Sequence, residues 1–479
     1  MDRTPRWVTW CGYSGTTTRD ILAIAHRVFL LDQPVKNNQD YVPRIPNLTR
    51  RGVIPRQSFH PNPIFRSSGQ RRLYSIGLIM KIRIDIPNFH DMIKTMIDRP
   101  SHLKQLGTTL KRSPVTALLG PRQCGKTTLA RMFGQGREAT YFDLESQPDL
   151  QRLQNPELML GSLKGTVILD EIQVMPGLFN VLRVLSDRPK NPARFLILGS
   201  ASPGIIKSVS ETLAGRIEFV ELSPFDLSET GADSWERLWW RGGFPRSFLA
   251  KSNEDSLAWR ESFIRTFLER DIPQLGIMIP ATAMRRFWTM LAHYHGQTWN
   301  GSKLARSMGL SDKTVRSYLD ILTGTFMVRQ LQPWHENIGK RQVKAPKIYL
   351  RDSGILHRLL GLTTLHGLFG HPQVGASWEG FAVEEVLTTV KPSEAYFWAT
   401  HGGAEIDLFF SHRGRRYGVE AKFTEAPSIS KSMQTGMEVL KLTHLWVIYA
   451  GQHIYPMDKK ITALPIKDIS ALVDQMAGM

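Results

Sequence analysis

Cysteine is nearly missing from this chain: only Cys11 and Cys124 occur in 479 residues. Two thiols cannot build a disulfide framework, so the fold must rest on packed cores, and the composition suits a reducing cytoplasm. Long apolar runs are missing too. Without a stretch of about 18 consecutive apolar residues, no membrane span is expected. Negative charge is scarce: 43 Asp and Glu stand against 61 Lys and Arg, a formal charge of +18. Such an excess points to a polyanionic partner, most simply nucleic acid, though charge alone does not separate DNA from RNA or from plain solubility. The hydrophobic fraction of 42% is ordinary for a globular chain. The length is too great for one core and sets an expectation of three or four domains.

Residues 1–91 differ from the rest. Pro43, Pro46, Pro55, Pro61 and Pro63 crowd a basic stretch with little periodicity, in which Asp20 to Leu31 alone reads as a helix. This is expected to be a poorly ordered extension. It lacks the charged start, apolar core and small-residue cleavage site of a secretory signal; an arginine-rich transit peptide is the weaker alternative. A further reading places it upstream of the natural start, since Met80, Met92 and Met96 all precede the first regular segment.

What the chain does contain begins at Gly120-Pro-Arg-Gln-Cys-Gly-Lys-Thr127. Every fixed position of the phosphate-loop pattern G-x-x-x-x-G-K-[ST] is met. The apolar run Val115 to Leu119 reads as a strand before it, and Thr128 to Phe133 as a helix after it, following Met96 to Leu110 as an earlier helix. A strand, a glycine-bounded loop and a helix start make an anion cradle. Gly120, Gln123, Cys124, Gly125, Lys126, Thr127 and Thr128 are the candidate phosphate-binding residues. Lys126 is expected to reach the β- and γ-phosphates, and the Thr127 hydroxyl to ligate Mg²⁺. Cys124 reads either as a tolerated loop residue or as a thiol acidified by the loop's positive field.

Apolar strands recur at 139–145, 165–171, 194–200 and 217–222, separated by helical segments; this alternation predicts a mostly parallel sheet covered on both faces. The third run ends in Asp170-Glu171. Asp170 is expected to hold Mg²⁺, and Glu171 to orient and deprotonate an attacking water. Ser200, at the end of the next strand, reads equally as a nucleotide sensor or a turn cap. Arg216, in Leu213-Ala-Gly-Arg216, is a candidate for the γ-phosphate, in cis or across a homo-oligomer interface.

Residues 226–290 read as a helical lid, with a core stripe of Leu257, Phe263, Ile264, Phe267 and Leu268. Trp239, Trp240 and Phe244 read as packing residues. Gly301 to Leu322 reads as helix, turn, helix, with Gly309 in the turn and Ser311 capping the second helix. Leu304, Leu310, Val315 and Leu319 would form its core, leaving Lys313, Thr314 and Arg316 to meet DNA. Strands at 326–331 and 348–350 flank a basic loop with Lys340, Arg341, Lys344 and Lys347, which makes a winged-helix pattern over 291–350. Residues 404–423 read as a hairpin. Glu420 and Lys422 share a face of one strand, with Asp407 on the other. Asp407 and Glu420 beside Lys422 are a candidate metal site for phosphodiester attack, with Glu379 as a further ligand; the alternative is a cross-strand salt bridge.

These motifs resemble the bacterial and archaeal AAA+-like ATPases whose C-terminal region is called DUF4143. The resemblance rests on the phosphate loop, Leu169-Asp-Glu-Ile-Gln173, Leu213-Ala-Gly-Arg216, Gly242-Gly-Phe-Pro245, Tyr349-Leu-Arg-Asp-Ser-Gly354 and the Asp407…Glu420-Ala-Lys422 hairpin, and covers about residues 92–450. Cys124 stands where that family leads one to expect valine. The resemblance implies an α/β architecture: a P-loop NTPase parallel sheet at 92–225, the helical lid, a winged helix-turn-helix, and a restriction-nuclease-like α/β domain at 351–479. Asp407, Glu420 and Lys422 then take nuclease-motif positions. The expectation is an ATPase using ATP and Mg²⁺. Its rivals are a nucleotide-dependent switch with little turnover and an ATP-regulated nuclease.

Overall fold

The computed structural model describes residues 97–189, 193–200, 211–335 and 343–479. The extension 1–91, with its helix at 20–31, lies outside the described residues, as do the loop residues Lys340 and Arg341. Five strands form the first sheet: β1 (Val115–Gly120), β2 (Ala139–Asp143), β3 (Gly165–Asp170), β4 (Ala193–Ser200) and β5 (Ile217–Glu221). All pairings are parallel, in the order β2-β3-β4-β1-β5. Alternate residues feed two cores. Leu118, Ile168 and Leu196 face helices α1 (Pro100–Arg112) and α2 (Lys126–Gly134), while Ala117, Val167 and Ile197 face α3 (Leu178–Ser186). The first helix begins at Pro100, later than periodicity suggests, because proline's fixed φ and missing N–H suit the first helical turn.

The expected lid does not bury a core of its own. One of its helices, α4 (Trp235–Arg241), sinks Trp239 into the C-terminal region, edge-on to Trp378 at 5.2 Å between centroids, with its indole N–H donating to Ser377 Oγ at 3.0 Å. Its later helices, α5 (Asn253–Thr266) and α6 (Ala281–His293), bury Phe263, Ile264 and Trp288 with the helix-turn-helix instead. Between them a single π-turn, Phe267–Asp271, bulges the chain.

The helix-turn-helix is α7 (Gly301–Met308) and α8 (Asp312–Gly324), turned at Gly309 with φ +69°. Leu304, Val315 and Leu319 are buried there, and Leu310 is partly buried against them. A two-residue strand β6 (Gln297–Thr298) pairs with β8 (Lys347–Leu350), which pairs in turn with β7 (Val328–Pro333). Helices α9 (Ser353–Leu359) and α10 (Val374–Val390) follow. The C-terminal strands are β9 (Ala395–Ala399), β10 (Glu405–His412), β11 (Arg415–Lys422), β12 (His444–Tyr449), β13 (Tyr455–Asp458) and β14 (Ile461–Pro465). Because β7 also pairs in parallel with β9, these three strands and the C-terminal ones make one mixed sheet, β13-β14-β12-β11-β10-β9-β7-β8-β6.

Candidate nucleotide-binding site

The phosphate loop leaves β1 and enters α2 as its sequence demands. A Cβ on Gly120 would lie 2.2 Å from the Leu222 carbonyl oxygen, and Gly125 takes φ +100° as the residue before the helix. Gln123 also turns left-handed, at φ +62°. The Lys126 ammonium folds back and donates to the carbonyls of Gly120 at 3.0 Å and Pro121 at 2.8 Å. Thr127 Oγ1 donates to Asp170 Oδ2 at 2.7 Å, so the hydroxyl and carboxylate proposed for one Mg²⁺ already touch. Tyr141 from β2 donates to the same oxygen at 2.5 Å, and burial and that carboxylate raise its phenol well above the usual range. These oxygen donors at the loop's mouth are the hard type that Mg²⁺ takes.

Glu171 follows β3 in a left-handed turn, φ +54°, which swings its carboxylate off the strand. Its Oε2 accepts a very short bond from Gln173 Nε2. Burial holds its pKa above the ordinary carboxylate range, and Asp170 adds to this against the pull of Gln173 and Lys126. A raised pKa suits a carboxylate asked to take a proton near neutrality. Cys124 settles as a core residue. Burial pushes its thiol up, outweighing Lys126 and Arg99, so the expected alternative of an acidified thiol is not what the loop builds.

A cleft of about 610 Å³ opens over the loop. It is lined by Gln123, Cys124, Gly125, Lys126, Thr127, Thr128 and Glu171, and also by residues the sequence reading missed: Arg246, Arg270, Pro245 and Arg122. Arg122 is paired with Asp271. Arg246 and Arg270 are exposed and have no ion-pair partner among the described residues. The signal for Arg270 was the π-turn, which no periodicity rule locates. Arg216 is not among the lining residues; its guanidinium holds Asp187 at 2.6 and 2.9 Å. Ser200 ends β4 opposite Gly120, and its side chain lies outside the described residues.

On α8, Lys313 is exposed and unpaired among the described residues, while Arg316 pairs with Asp320 at 3.2 Å. Thr314 is taken up by the helix cap: its N–H donates to Ser311 Oγ at 3.1 Å, and the two hydroxyls lie 2.8 Å apart.

In the C-terminal hairpin, Glu420 Oε1 accepts from Lys422 at 2.7 Å, and Glu420 Oε2 has no hydrogen-bond partner among the described residues. Burial, with Asp407 adding, raises Glu420 to about 8. Asp407 Oδ2 accepts from the Ala421 N–H at 3.0 Å. Glu379 accepts from Tyr349 OH at 2.5 Å, and burial and Asp407 lift it to about 7. Lys347, expected in a solvated basic loop, is instead buried at the start of β8, among Glu379, Glu405 and Asp407.

Comparison with known proteins fits this layout. Residues 112–231 match the AAA domain AAA_14, residues 232–366 the domain of unknown function DUF8612, and residues 374–469 the domain of unknown function DUF4143. Uncharacterized proteins of Mycobacterium tuberculosis and Mycobacterium bovis are each 50% identical over 386 residues, 80% of this chain and 88% of theirs. The chain belongs to the AAA_14/DUF4143 family of P-loop ATPases. A solved Walker-type ATPase of Pyrococcus abyssi is 15% identical, with a TM-score of 0.42, over 55% of this chain and 96% of that one.

Two motifs of this AAA_14/DUF4143 chain that carry no chemistry lock its parts together. Asp352 Oδ2 accepts from the Gly243 N–H at 2.8 Å, and its Oδ1 from Ile355 N–H at 2.8 Å, capping α9. A Cβ on Gly354 would sit 2.1 Å from the Arg241 carbonyl oxygen. Gly243 in turn accepts from Phe225 N–H at 2.7 Å, next to the ATPase sheet, while Pro245 faces Gly125 of the loop. Among the described residues no helix is long and apolar enough to cross a membrane.

Proposed function

We propose that this protein binds Mg-ATP in the cleft over the phosphate loop and hydrolyses it by in-line attack of water, in association with DNA. The observation that carries this reading is the contact of Thr127 with Asp170 beside Lys126, at the mouth of a cleft large enough for a nucleotide. Lys126 exchanges its two carbonyl partners for the β- and γ-phosphates, where its charge meets an anion in place of neutral oxygens. Thr127 and Asp170 would hold Mg²⁺, which would supply positive charge to the phosphate oxygens. Glu171, released from Gln173, orients the water and accepts its proton. Arg246 and Arg270 bring cationic charge to the phosphate side from beyond the ATPase sheet. Arg216 faces away, so any contact it makes with a γ-phosphate comes from a second copy of the chain.

The net charge of +18 and the exposed Lys313 and Arg316 on α8 support DNA as the polyanion. Steady-state phosphate release by the purified protein tests the core of the proposal, with Lys126→Ala as the control. An unchanged rate in that variant sinks it. Nucleotide binding without release, in wild type, would leave a nucleotide-dependent switch.

A further inference from the structure

The nuclease-like reading of the C-terminal region requires a divalent metal between acidic side chains, and the residues present can be tested against that need. Three carboxylates, Glu379 from α10 and Glu405 and Asp407 from β10, bring oxygens within 4.8 Å of one another. The space between them is filled by Lys347. Its Nζ lies 2.7 Å from Glu379 Oε1 and 3.4 Å from Asp407 Oδ1, and makes a very short contact with Glu405. A metal ion bonds carboxylate oxygens at about 2.0–2.6 Å, so it and an ammonium cannot stand between the same oxygens. The second expected ligand, Glu420, gives Oε1 to the Lys422 ammonium at 2.7 Å, which leaves it one oxygen, Oε2, without a partner among the described residues. The set as built does not fit a hydrolytic metal.

We infer that the Lys347 ammonium is the resident cation of this cluster, so that the site joins β8 to the C-terminal region rather than holding a catalytic metal. Lys347 is 3% exposed, and its ammonium lies 5.9 Å from the Tyr349 ring centroid and 5.8 Å from that of Phe397. Aromatic faces at that range favour a cation. Tyr349, two residues along β8, donates to Glu379, so two side chains of that strand grip one carboxylate. In sheet order β8 is the third strand from β10. The sheet must therefore curl for Lys347 to reach Asp407, and the ion pairs hold that curl. Removing the lysine would leave three carboxylates facing an emptied space, which is a metal site.

Mn²⁺ titration of the full-length, nucleotide-free protein, followed by electron paramagnetic resonance, reads this directly and independently of ATP turnover. Wild type is expected to show no Mn²⁺ site that Asp407→Asn removes. Lys347→Met, nearly isosteric and neutral, is expected to bind Mn²⁺ at least about tenfold more tightly, the size of effect that a single side chain near a metal commonly has. Adding Asp407→Asn should abolish that gain. A folded Lys347→Met protein that gains no Mn²⁺ binding overturns the inference. If Lys347→Met does not fold, wild type against Asp407→Asn still decides: a wild-type Mn²⁺ site lost in Asp407→Asn overturns the inference, and identical titrations uphold it.

Discussion

Two buried lysines divide this molecule's chemistry. Lys126, 6% exposed, leans on two neutral carbonyls at the edge of an open cleft. Lys347, 3% exposed, is enclosed by three carboxylates. A buried ammonium without an anion is costly, so the first lysine is poised to gain a partner, whereas the second already has its partners. The same side chain thus marks a binding site in one region and a joint in the other. Lysine alone does not distinguish them; the neighbouring acids do.

The widest separation is expected in turnover. Lys126→Ala should lower phosphate release by about 10²–10³-fold, the usual loss for one donor to a developing oxyanion. Glu171→Gln should retain nucleotide binding while losing about 10²–10⁴-fold in rate, as for a positioned base. A Glu171→Gln enzyme at wild-type rate would assign the base elsewhere. Stability should reverse the ranking. In the apo protein, thermal melting should show Lys347→Met losing about 3–5 kcal/mol, because it strands buried carboxylates. Lys126→Met should change stability by no more than about 1 kcal/mol, because losing its bonds to two carbonyls is offset by removing a buried charge that has no anion beside it. Equal losses would erase the contrast between the two lysines.

Proton linkage offers a finer test. Glu420 is raised in the folded protein to about 8, above its ordinary carboxylate value. The folded state therefore holds a proton that the unfolded chain releases earlier. Its contribution is present at low pH and is lost as pH rises toward 8. Glu420→Gln should be neutral near pH 5 and raise the melting temperature by roughly 2–4 °C at pH 8, the shift expected of about 1 kcal/mol. A gain at pH 5 instead would reverse the sign of this linkage. The smallest effect belongs to the exposed helix: Lys313→Ala should flatten the salt dependence of DNA binding by about one phosphate contact, measured as the slope of affinity against salt. An unaltered slope would place DNA elsewhere.

Much of the ATPase part was legible before folding. The loop from Gly120 to Thr127 is contiguous, and its glycines, lysine and threonine act within one turn of chain. Asp170 and Glu171 announced themselves as acids ending an apolar strand. Arg246 and Arg270 were not legible, because their place over the loop depends on how Pro245 and the π-turn at Phe267–Asp271 pack. Lys347 was misread for a related reason. A lysine after a basic loop resembles solvated charge, and the acids that bury it lie 32, 58 and 60 positions away.

By itself the sequence determined the local chemistry: a parallel sheet from alternating apolar strands, a phosphate loop at its edge, and a helix-turn-helix with a capped second helix. These follow from period, spacing and backbone permission, which neighbours in the chain supply. Tertiary structure alone decided the joints. It sent Trp239 into the C-terminal core and drew β7 alongside β9. It also set Lys347 among Glu379, Glu405 and Asp407. Buried charge finds its partners through space, and a side chain's charge does not say which distant one it will meet.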